Sequence, residues 1–158
     1  MQLKEGDKAP TFKVNDQDNK LFDLEKAKGK KMVLYFYPKD DTPGCTKESC
    51  EFRDLKSEYE KVGASIYGMS ADDATSHQQF ISKYSLNFPL LADIGHKVAD
   101  QYGVWVIGEH NGKKYEGIAR TTFIISEKGN IEKIYPQVNP VGHADEILNY
   151  LKQARTKS

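Results

Sequence analysis

The chain has 158 residues, enough for one compact domain over residues 1–158 that buries about two-thirds of the surface of its unfolded chain. Its 23 Lys and Arg residues balance 23 Asp and Glu residues, and neither end carries a long cationic run, so a nucleic-acid-binding surface is not indicated. No apolar run approaches the length of a membrane span, and the N-terminus lacks the features of a secretory signal or a transit peptide. We therefore expect a cytoplasmic protein with no membrane or nucleic-acid partner, in a compartment where paired thiols are more often catalytic than structural.

The first predicted elements are a short hairpin and a central strand. In the N-terminal arm, Phe12 and Val14 alternate with polar residues, which predicts a hairpin that turns around residues 16–19. Residues 32–37 then form an unbroken apolar and aromatic run. Such a run is typical of a strand that is buried on both faces.

Residues 43–62 give the clearest helix. Phe52, Tyr59 and Val62 fall on one stripe at helical spacing. Pro43 suits the first turn, and the glycine after residue 62 suits the C-terminal stop. The helix therefore begins immediately after the turn-rich segment that follows the central strand.

The remaining elements alternate between strands and helices. We expect strands at 64–70, 88–92, 118–126 and 131–135, and helices at 77–84, 95–102 and 143–154. The turn residues 127–130 join the last two strands as a hairpin. This order predicts an α/β protein with a central mixed β-sheet flanked by helices on both faces, and strand 32–37 near its middle. In such sheets chemistry occurs at the carboxyl ends of central strands.

Two cysteines, the only ones in the chain, lie just past that carboxyl end. The segment from Pro38 reads P-K-D-D-T-P-G-C-T-K-E-S-C and ends with Cys45 and Cys50, five residues apart. The first turn of a helix has unpaired N–H groups and the positive end of the helix dipole, which favour an anionic thiolate at Cys45. The arrangement suits a reactive sulfur and a partner thiol better than a structural cross-link.

At these residues the chain resembles the peroxiredoxins. Pro38, Thr42 and Cys45 match the active-site signature P-x-x-x-T-x-x-C, and Cys50 adds the C-x-x-x-x-C spacing of the bacterioferritin comigratory protein, or peroxiredoxin Q, branch. Residues 6–12, 102–105 and 118–125 are also similar to that branch, so the resemblance covers nearly the whole chain.

The resemblance implies a thioredoxin-like fold and a thiol-dependent peroxidase. Cys45 would be the peroxidatic nucleophile and Cys50 the resolving thiol, joined in a redox disulfide. It also implies that Arg120 adds a positive charge beside Cys45 and that thioredoxin, or a similar dithiol, is the reductant. No metal, haem or flavin is implied, and the branch suggests a monomer or a weak homodimer.

Peroxide reduction needs more than an ionised sulfur, because negative charge develops on the departing oxygen. A donor aimed at such an oxygen typically contributes about 3 kcal/mol to transition-state stabilisation. The candidates are the Thr42 hydroxyl, Arg120 and the backbone N–H groups of Gly44 and Cys45, with hydrogen peroxide or an alkyl hydroperoxide as substrate. Pro38 would shield the pocket from water. The plainer alternatives are that Thr42 caps the helix and that Pro38 ends the strand.

The spacing of the two cysteines predicts a conformational change. On an intact helix, positions five apart have Cα atoms about 8.6 Å apart, whereas a disulfide usually needs about 4.4–6.8 Å. We therefore predict a folded thiol form and a locally unwound disulfide form. Gly44, Thr46 and Ser49 are poor helix formers and would ease the unwinding.

Several alternatives are weighed against this interpretation. A general thiol–disulfide oxidoreductase or a redox-regulated binding module would normally carry C-x-x-C, and a purely structural protein would leave Thr42 and Arg120 unexplained. A zinc site would need two more ligands, and the four histidines, which are expected at the surface or at helix ends, show no paired spacing. Glu48 and Arg53 are either an ion-pair network near the active turn or ordinary helix charges. Trp105 is assigned to packing.

Overall fold

The structure, a computed structural model, describes residues 3–27 and 29–156. It contains two β-sheets, four α-helices and two short 3₁₀ turns. The strands are β1 Lys13–Asp16, β2 Leu21–Asp23, β3 Lys31–Phe36, β4 Ala64–Ser70, β5 Leu90–Ala92, β6 Trp105–His110, β7 Lys113–Ile118, β8 Thr121–Ile125 and β9 Ile131–Tyr135. The helices are α1 Pro43–Lys61, α2 Ala74–Tyr84, α3 Lys97–Gln101 and α4 His143–Thr156. Among the described residues, no helix has the length and apolar character needed to cross a bilayer.

The main sheet has seven strands in the order β2-β1-β5-β4-β3-β8-β9. The predicted central strand is β3, which lies parallel to β4 and antiparallel to β8, so the sheet is mixed as expected. Leu34, for example, faces Tyr67 of β4 on one side and Phe123 of β8 on the other. Apart from Lys31, all of β3 is buried.

Alternate residues of β3 build the two cores. Val33 and Tyr35 face one side of the sheet, where α1, α2 and α4 pack, whereas Leu34 and Phe36 face the other side, where α3 and the N-terminal arm pack. This follows from the period of two along a strand, because successive side chains point to opposite faces. The prediction that helices flank both faces of the sheet is therefore confirmed.

Most predicted elements are present, but several begin or end at residues other than those predicted. Helix α2 begins at Ala74 rather than at residue 77, because the Asp73 side chain accepts a hydrogen bond from the Ser76 N–H and caps it. The predicted helix over residues 95–102 is divided into a 3₁₀ turn and α3, because Gly95 and His96 adopt positive φ angles of 80° and 52°. The predicted strand 88–92 is shortened to Leu90–Ala92.

The hairpin of β6 and β7 was not predicted. It forms a separate two-stranded sheet around Asn111 and Gly112, whose φ angles of 53° and 78° suit a two-residue turn. The predicted strand over residues 118–126 was also wrong at its start. Ile118 ends β7 and β8 begins at Thr121, so the two residues between them leave the ladder.

Candidate active site

The two cysteines lie where the chain leaves β3 and enters α1. Pro43 occupies the first turn of the helix, and the first intrahelical bond runs from the Thr46 N–H to the Thr42 carbonyl. Gly44 and Cys45 precede that bond, so their N–H groups belong to the unpaired start of the helix. The Cys45 side chain is fully buried, Cys50 is half-buried, and both are free thiols.

Arg120 reaches Cys45 from the break between β7 and β8. Its Nη2 lies 3.4 Å from Cys45 Sγ, and its Nη1 donates to Glu48 Oε1 at 2.7 Å. The backbone around it is fixed on both sides, because the Ala119 N–H donates to Val104 and the Arg120 carbonyl accepts from the Val138 N–H. Residues 119 and 120 lie outside the β-ladder, which is why the strand predicted over 118–126 was wrong at its start. This break between β7 and β8 positions the guanidinium of Arg120.

Gly44 allows this approach of the guanidinium to sulfur. A Cβ atom at Gly44 would lie 3.0 Å from Arg120 Nη2 and 3.5 Å from Pro140 Cγ. The first of these contacts is tighter than a relaxed packing contact. The absence of a side chain at Gly44 thus leaves room for Arg120 beside Cys45.

Glu48 is a functional candidate whose contacts the sequence analysis missed. It lies one helical turn beyond Cys45 on the same buried face, and it is 1% exposed. Burial raises the pKa of its carboxyl to about 7, and the charge and hydrogen bond of Arg120 oppose that shift. Oε2 has no hydrogen-bond partner. The available signal was a glutamate inside the apolar stripe of α1, a position that rarely carries an acid without a partner.

The hypothesis of a Glu48–Arg53 ion pair was wrong. Arg53 Nη2 pairs with Asp54 Oδ1 at 2.9 Å, and Arg53 Nη1 donates to the Tyr84 carbonyl at 2.6 Å. Glu48 pairs instead with Arg120, which is more distant along the chain. Glu48 and Arg53 lie on different faces of α1, because five positions along a helix correspond to about 140° of rotation.

Thr42 and Pro38 lie in the loop before the helix. Thr42 stands at the N-cap position, but its side chain makes no capping bond, and its Oγ1 donates to the Lys39 carbonyl at 3.0 Å. The capping interpretation of the Thr42 hydroxyl was therefore wrong. Pro38 is exposed and follows Phe36, the last residue of β3, by two positions.

Cys50 lies two turns into an unbroken helix, next to a buried hydroxyl pair. Ser49 Oγ is 2.7 Å from the Tyr35 hydroxyl, and both side chains are fully buried. Helix α1 continues without interruption through both cysteines. This is the intact helix for which the spacing argument excludes a direct bond between Cys45 and Cys50.

The histidines were expected at the surface or at helix ends, and two of them lie in the first turn of a helix but are buried. His77, the fourth residue of α2, is fully buried, and His143, which begins α4, is 3% exposed. His143 contacts Thr122 Oγ1 through Nε2 at 2.8 Å.

Trp105 stacks on His96 with ring centroids 3.8 Å apart. Within residues 3–27 and 29–156, no group of three or more His, Cys, Asp or Glu side chains is arranged to hold a metal ion.

A comparison with known sequences adds family evidence to this geometry. The sequence profile of the AhpC/TSA family matches residues 5–134, which is most of the chain. The chain belongs to the AhpC/TSA family. A Coxiella burnetii protein named as a bcp peroxiredoxin is 48% identical over 151 residues, with 96% of this chain and 100% of that protein covered. Peroxiredoxin Bcp of Escherichia coli is 41% identical over 151 residues, covering 96% and 97% of the two chains.

Solved structures of AhpC/TSA relatives agree with the fold. The bacterioferritin comigratory protein of Xanthomonas campestris, from a study of its alkyl peroxide reduction activity, has a TM-score of 0.87 and 35% sequence identity. The match covers 91% of this chain and 92% of that one. The resemblance to the bacterioferritin comigratory protein branch is thus confirmed, and the fold is thioredoxin-like.

Proposed function

We propose that this protein is a thiol peroxidase that reduces hydrogen peroxide and organic hydroperoxides to water and alcohols, with Cys45 as its nucleophile. The observation that carries the proposal is the guanidinium of Arg120, 3.4 Å from a buried sulfur in the first turn of α1. A permanent positive charge and unpaired N–H groups at that point attract the negative charge that develops on a peroxide oxygen. Membership of the AhpC/TSA family and the alkyl peroxide reduction by the Xanthomonas relative support the same activity.

In the first step the Cys45 thiolate attacks one oxygen of the peroxide. A sulfur–oxygen bond forms as the oxygen–oxygen bond breaks, and the departing oxygen takes up a proton to leave as water or an alcohol. Arg120 and the N–H groups of Gly44 and Cys45 are the proposed donors to the peroxide oxygens. The Thr42 hydroxyl was expected to donate to the departing oxygen, but its proton is already donated to the Lys39 carbonyl, so we propose that its oxygen accepts a hydrogen bond from the peroxide O–H instead. Pro38, in the loop before α1, is proposed to limit the entry of water to the site.

In the second step the Cys45 sulfenic acid condenses with the Cys50 thiol. A sulfur–sulfur bond forms and water leaves, which protects Cys45 from further oxidation to sulfinic acid. An ideal helix holds the two Cα atoms about 8.6 Å apart, so the first turns of α1 must unwind before the bond closes. In the proposed cycle, the form that reacts with peroxide has an intact α1 and two free thiols.

A dithiol must then reduce the disulfide, and we propose thioredoxin or a similar protein for this step. Such reductants operate in a reducing compartment, which supports a cytoplasmic location. We propose that the working unit is a single domain that acts as a monomer or a weak homodimer. No metal or organic cofactor takes part in either proposed step.

One assay tests the proposal. Reduced protein is mixed with one equivalent of hydrogen peroxide, and free thiols are titrated over time. We expect rapid loss of two thiols per chain, and loss of only one in the Cys50→Ser variant. A Cys45→Ser variant that still consumed peroxide at the wild-type rate would overturn the assignment.

The alternative function is a general thiol–disulfide oxidoreductase on the same fold. It is disfavoured because such enzymes usually carry C-x-x-C, whereas Cys45 and Cys50 are five residues apart and follow Pro38 and Thr42. Rapid reduction of insulin disulfides by the reduced protein, with slow thiol loss in peroxide, would favour this alternative.

A further inference from the structure

Two consecutive aspartates in the loop between β3 and α1 form hydrogen bonds with side chains of α2. Asp40 and Asp41 come just before Thr42, in the segment that leads to Cys45. Asp40 is 8% exposed, whereas Asp41 is exposed to solvent. The loop therefore carries one buried anchor and one exposed anchor to the same helix.

The Asp40 carboxylate makes three hydrogen-bond contacts with neighbouring side chains. Its Oδ2 lies 2.7 Å from His77 Nδ1 and accepts from Ser76 Oγ at 2.7 Å, and its Oδ1 accepts from the Tyr37 hydroxyl at 2.6 Å. The Asp40 backbone N–H donates to Asp72 Oδ2 at 2.8 Å. The side chain and the main chain of this residue are thus both fixed.

The His77 ring is held by hydrogen bonds at both of its nitrogens. Nε2 lies 3.0 Å from the Leu91 carbonyl, which only accepts, so Nε2 carries a proton. Nδ1 lies 2.7 Å from Asp40 Oδ2, and the same carboxyl group accepts from the hydroxyls of Tyr37 and Ser76. Because the His77 and Asp40 side chains are buried, water does not compete for their contact as it would at the surface.

We propose that Asp40 and His77 are positioning residues for peroxide reduction, an inference that rests on the proposed peroxidase function. Their buried pair fixes the loop and so holds Thr42 in position for the substrate of Cys45. Asp40 precedes Thr42 by two residues, so a shift of Asp40 is transmitted directly to the Thr42 hydroxyl. Misplacement of a reacting group by about 1 Å can cost about 100-fold in rate.

Asp41 provides a matched control within the same loop. Its carboxylate accepts from Lys83 Nζ at 2.8 Å and from the Tyr84 hydroxyl at 2.6 Å, at the other end of α2. The Lys83 and Asp41 side chains are 59% and 42% exposed, so water screens their attraction. Asp41 has a φ of 60°, which asparagine also tolerates, so Asp41→Asn alters the charge and leaves the backbone unstrained.

The test compares two reactions of the same sulfur. In a Cys50→Ser background, where Cys45 is the single thiol, the rate of thiol loss is measured with hydrogen peroxide and separately with iodoacetamide. Iodoacetamide reports the nucleophilicity of the thiol and needs no bond to Thr42. For Asp40→Asn we expect the peroxide rate to fall about tenfold while the iodoacetamide rate stays the same or rises. For Asp41→Asn both rates should stay within about twofold of the parent.

The inference would be overturned if the peroxide rate of Asp40→Asn did not fall, or if its peroxide and iodoacetamide rates fell equally. It would also be overturned if Asp41→Asn lowered the peroxide rate as much as Asp40→Asn. The double variant Asp40→Asn/His77→Gln should lose no more than the worse single variant, because the two residues act as a unit. If Asp40→Asn does not fold, Ser76→Ala removes one donor from the same carboxylate and should lower only the peroxide rate, about two- to threefold. Failure of the peroxidase proposal is distinct, since the parent protein itself would then not react rapidly with peroxide.

Discussion

The two halves of α1 are held in place by different forces. In the first half, Pro43–Cys50, the side chains meet polar partners: Glu48 bonds to Arg120 and Ser49 to Tyr35. In the second half, Phe52 and Tyr59 are fully buried in an aromatic core. The Phe52 ring stacks on the Tyr35 ring with centroids 4.7 Å apart, and the Tyr59 hydroxyl donates to the Ala144 carbonyl of α4.

This difference gives a physical basis for unwinding within a single helix. The hydrogen bonds of the first half can be replaced by hydrogen bonds to water at a small net cost in free energy. Exposure of the Phe52 and Tyr59 side chains to water cannot be compensated in that way. We infer that the boundary between the mobile and the fixed part lies between Cys50 and Phe52. Four substitutions test this comparison, beginning with the largest expected change in stability.

Phe52→Ala should have the largest effect. Removal of a fully buried aromatic ring from the second half is expected to lower the free energy of unfolding by about 3–5 kcal/mol, because a cavity forms under α1. Urea denaturation measures the change. Ser57→Ala, an exposed site on the same half, is the control and should stay close to the parent. A loss below about 1 kcal/mol for Phe52→Ala would contradict the proposed anchoring by this half.

Glu48→Gln should change how stability depends on pH. Burial raises the pKa of Glu48 from its ordinary 4.5 to about 7 in the folded protein. Between these values the folded state keeps a proton that the unfolded chain has released. The contribution of Glu48 is therefore fully present below about pH 4.5 and is lost as the pH rises through about 7.

That loss corresponds to about 3 kcal/mol over the pH window. Urea midpoints measured across the window should fall for the parent and remain nearly level for Glu48→Gln, apart from the contributions of other groups. The exposed residue Glu60 offers the control, and Glu60→Gln should keep the parental slope. An unchanged slope in Glu48→Gln would indicate that the carboxyl titrates as it does in water.

Ser49→Ala should weaken only the first half of α1. It leaves the buried Tyr35 hydroxyl without its partner, at a cost of about 1–2 kcal/mol after the better helix propensity of alanine is included. Amide exchange in the first turns should accelerate, and the disulfide should form faster after one equivalent of peroxide. Exchange that accelerates equally around Tyr59 would mean that the helix opens as a single unit.

Gly44→Ala should have the smallest effect on stability and a clear effect on rate. Alanine favours a helix by up to about 1 kcal/mol, so thermal stability should be unchanged or slightly higher. The new Cβ would lie 3.0 Å from Arg120 Nη2 and displace the guanidinium, and we expect the peroxide rate to fall about tenfold. Gly117→Ala, where a Cβ meets nothing within 4 Å, is the control for a general effect of alanine.

Much of the fold could be predicted from local pattern. The apolar run of β3, the stripe of α1 and the turn before β9 each carry a short-range signal, and the structure has all three elements close to their expected bounds. The hairpin of β6 and β7 carried a signal too, in Asn111-Gly112, but its largely exposed strands lack a clear alternation of apolar and polar residues. The start of β8 could not be predicted, because a bond from the Ala119 N–H to Val104 interrupts the strand.

The sequence by itself determined that a thiol stands in the first turn of a helix after a buried strand, because Pro43 and the spacing of apolar residues act over a few positions. Only the tertiary structure decided what surrounds that thiol. Arg120 reaches Cys45 from 75 residues away, and Glu48 and His77 lose their contact with water only when the sheet and helices pack around them. Charge and hydrogen bonding depend on distance and burial in three dimensions, which a one-dimensional pattern does not specify.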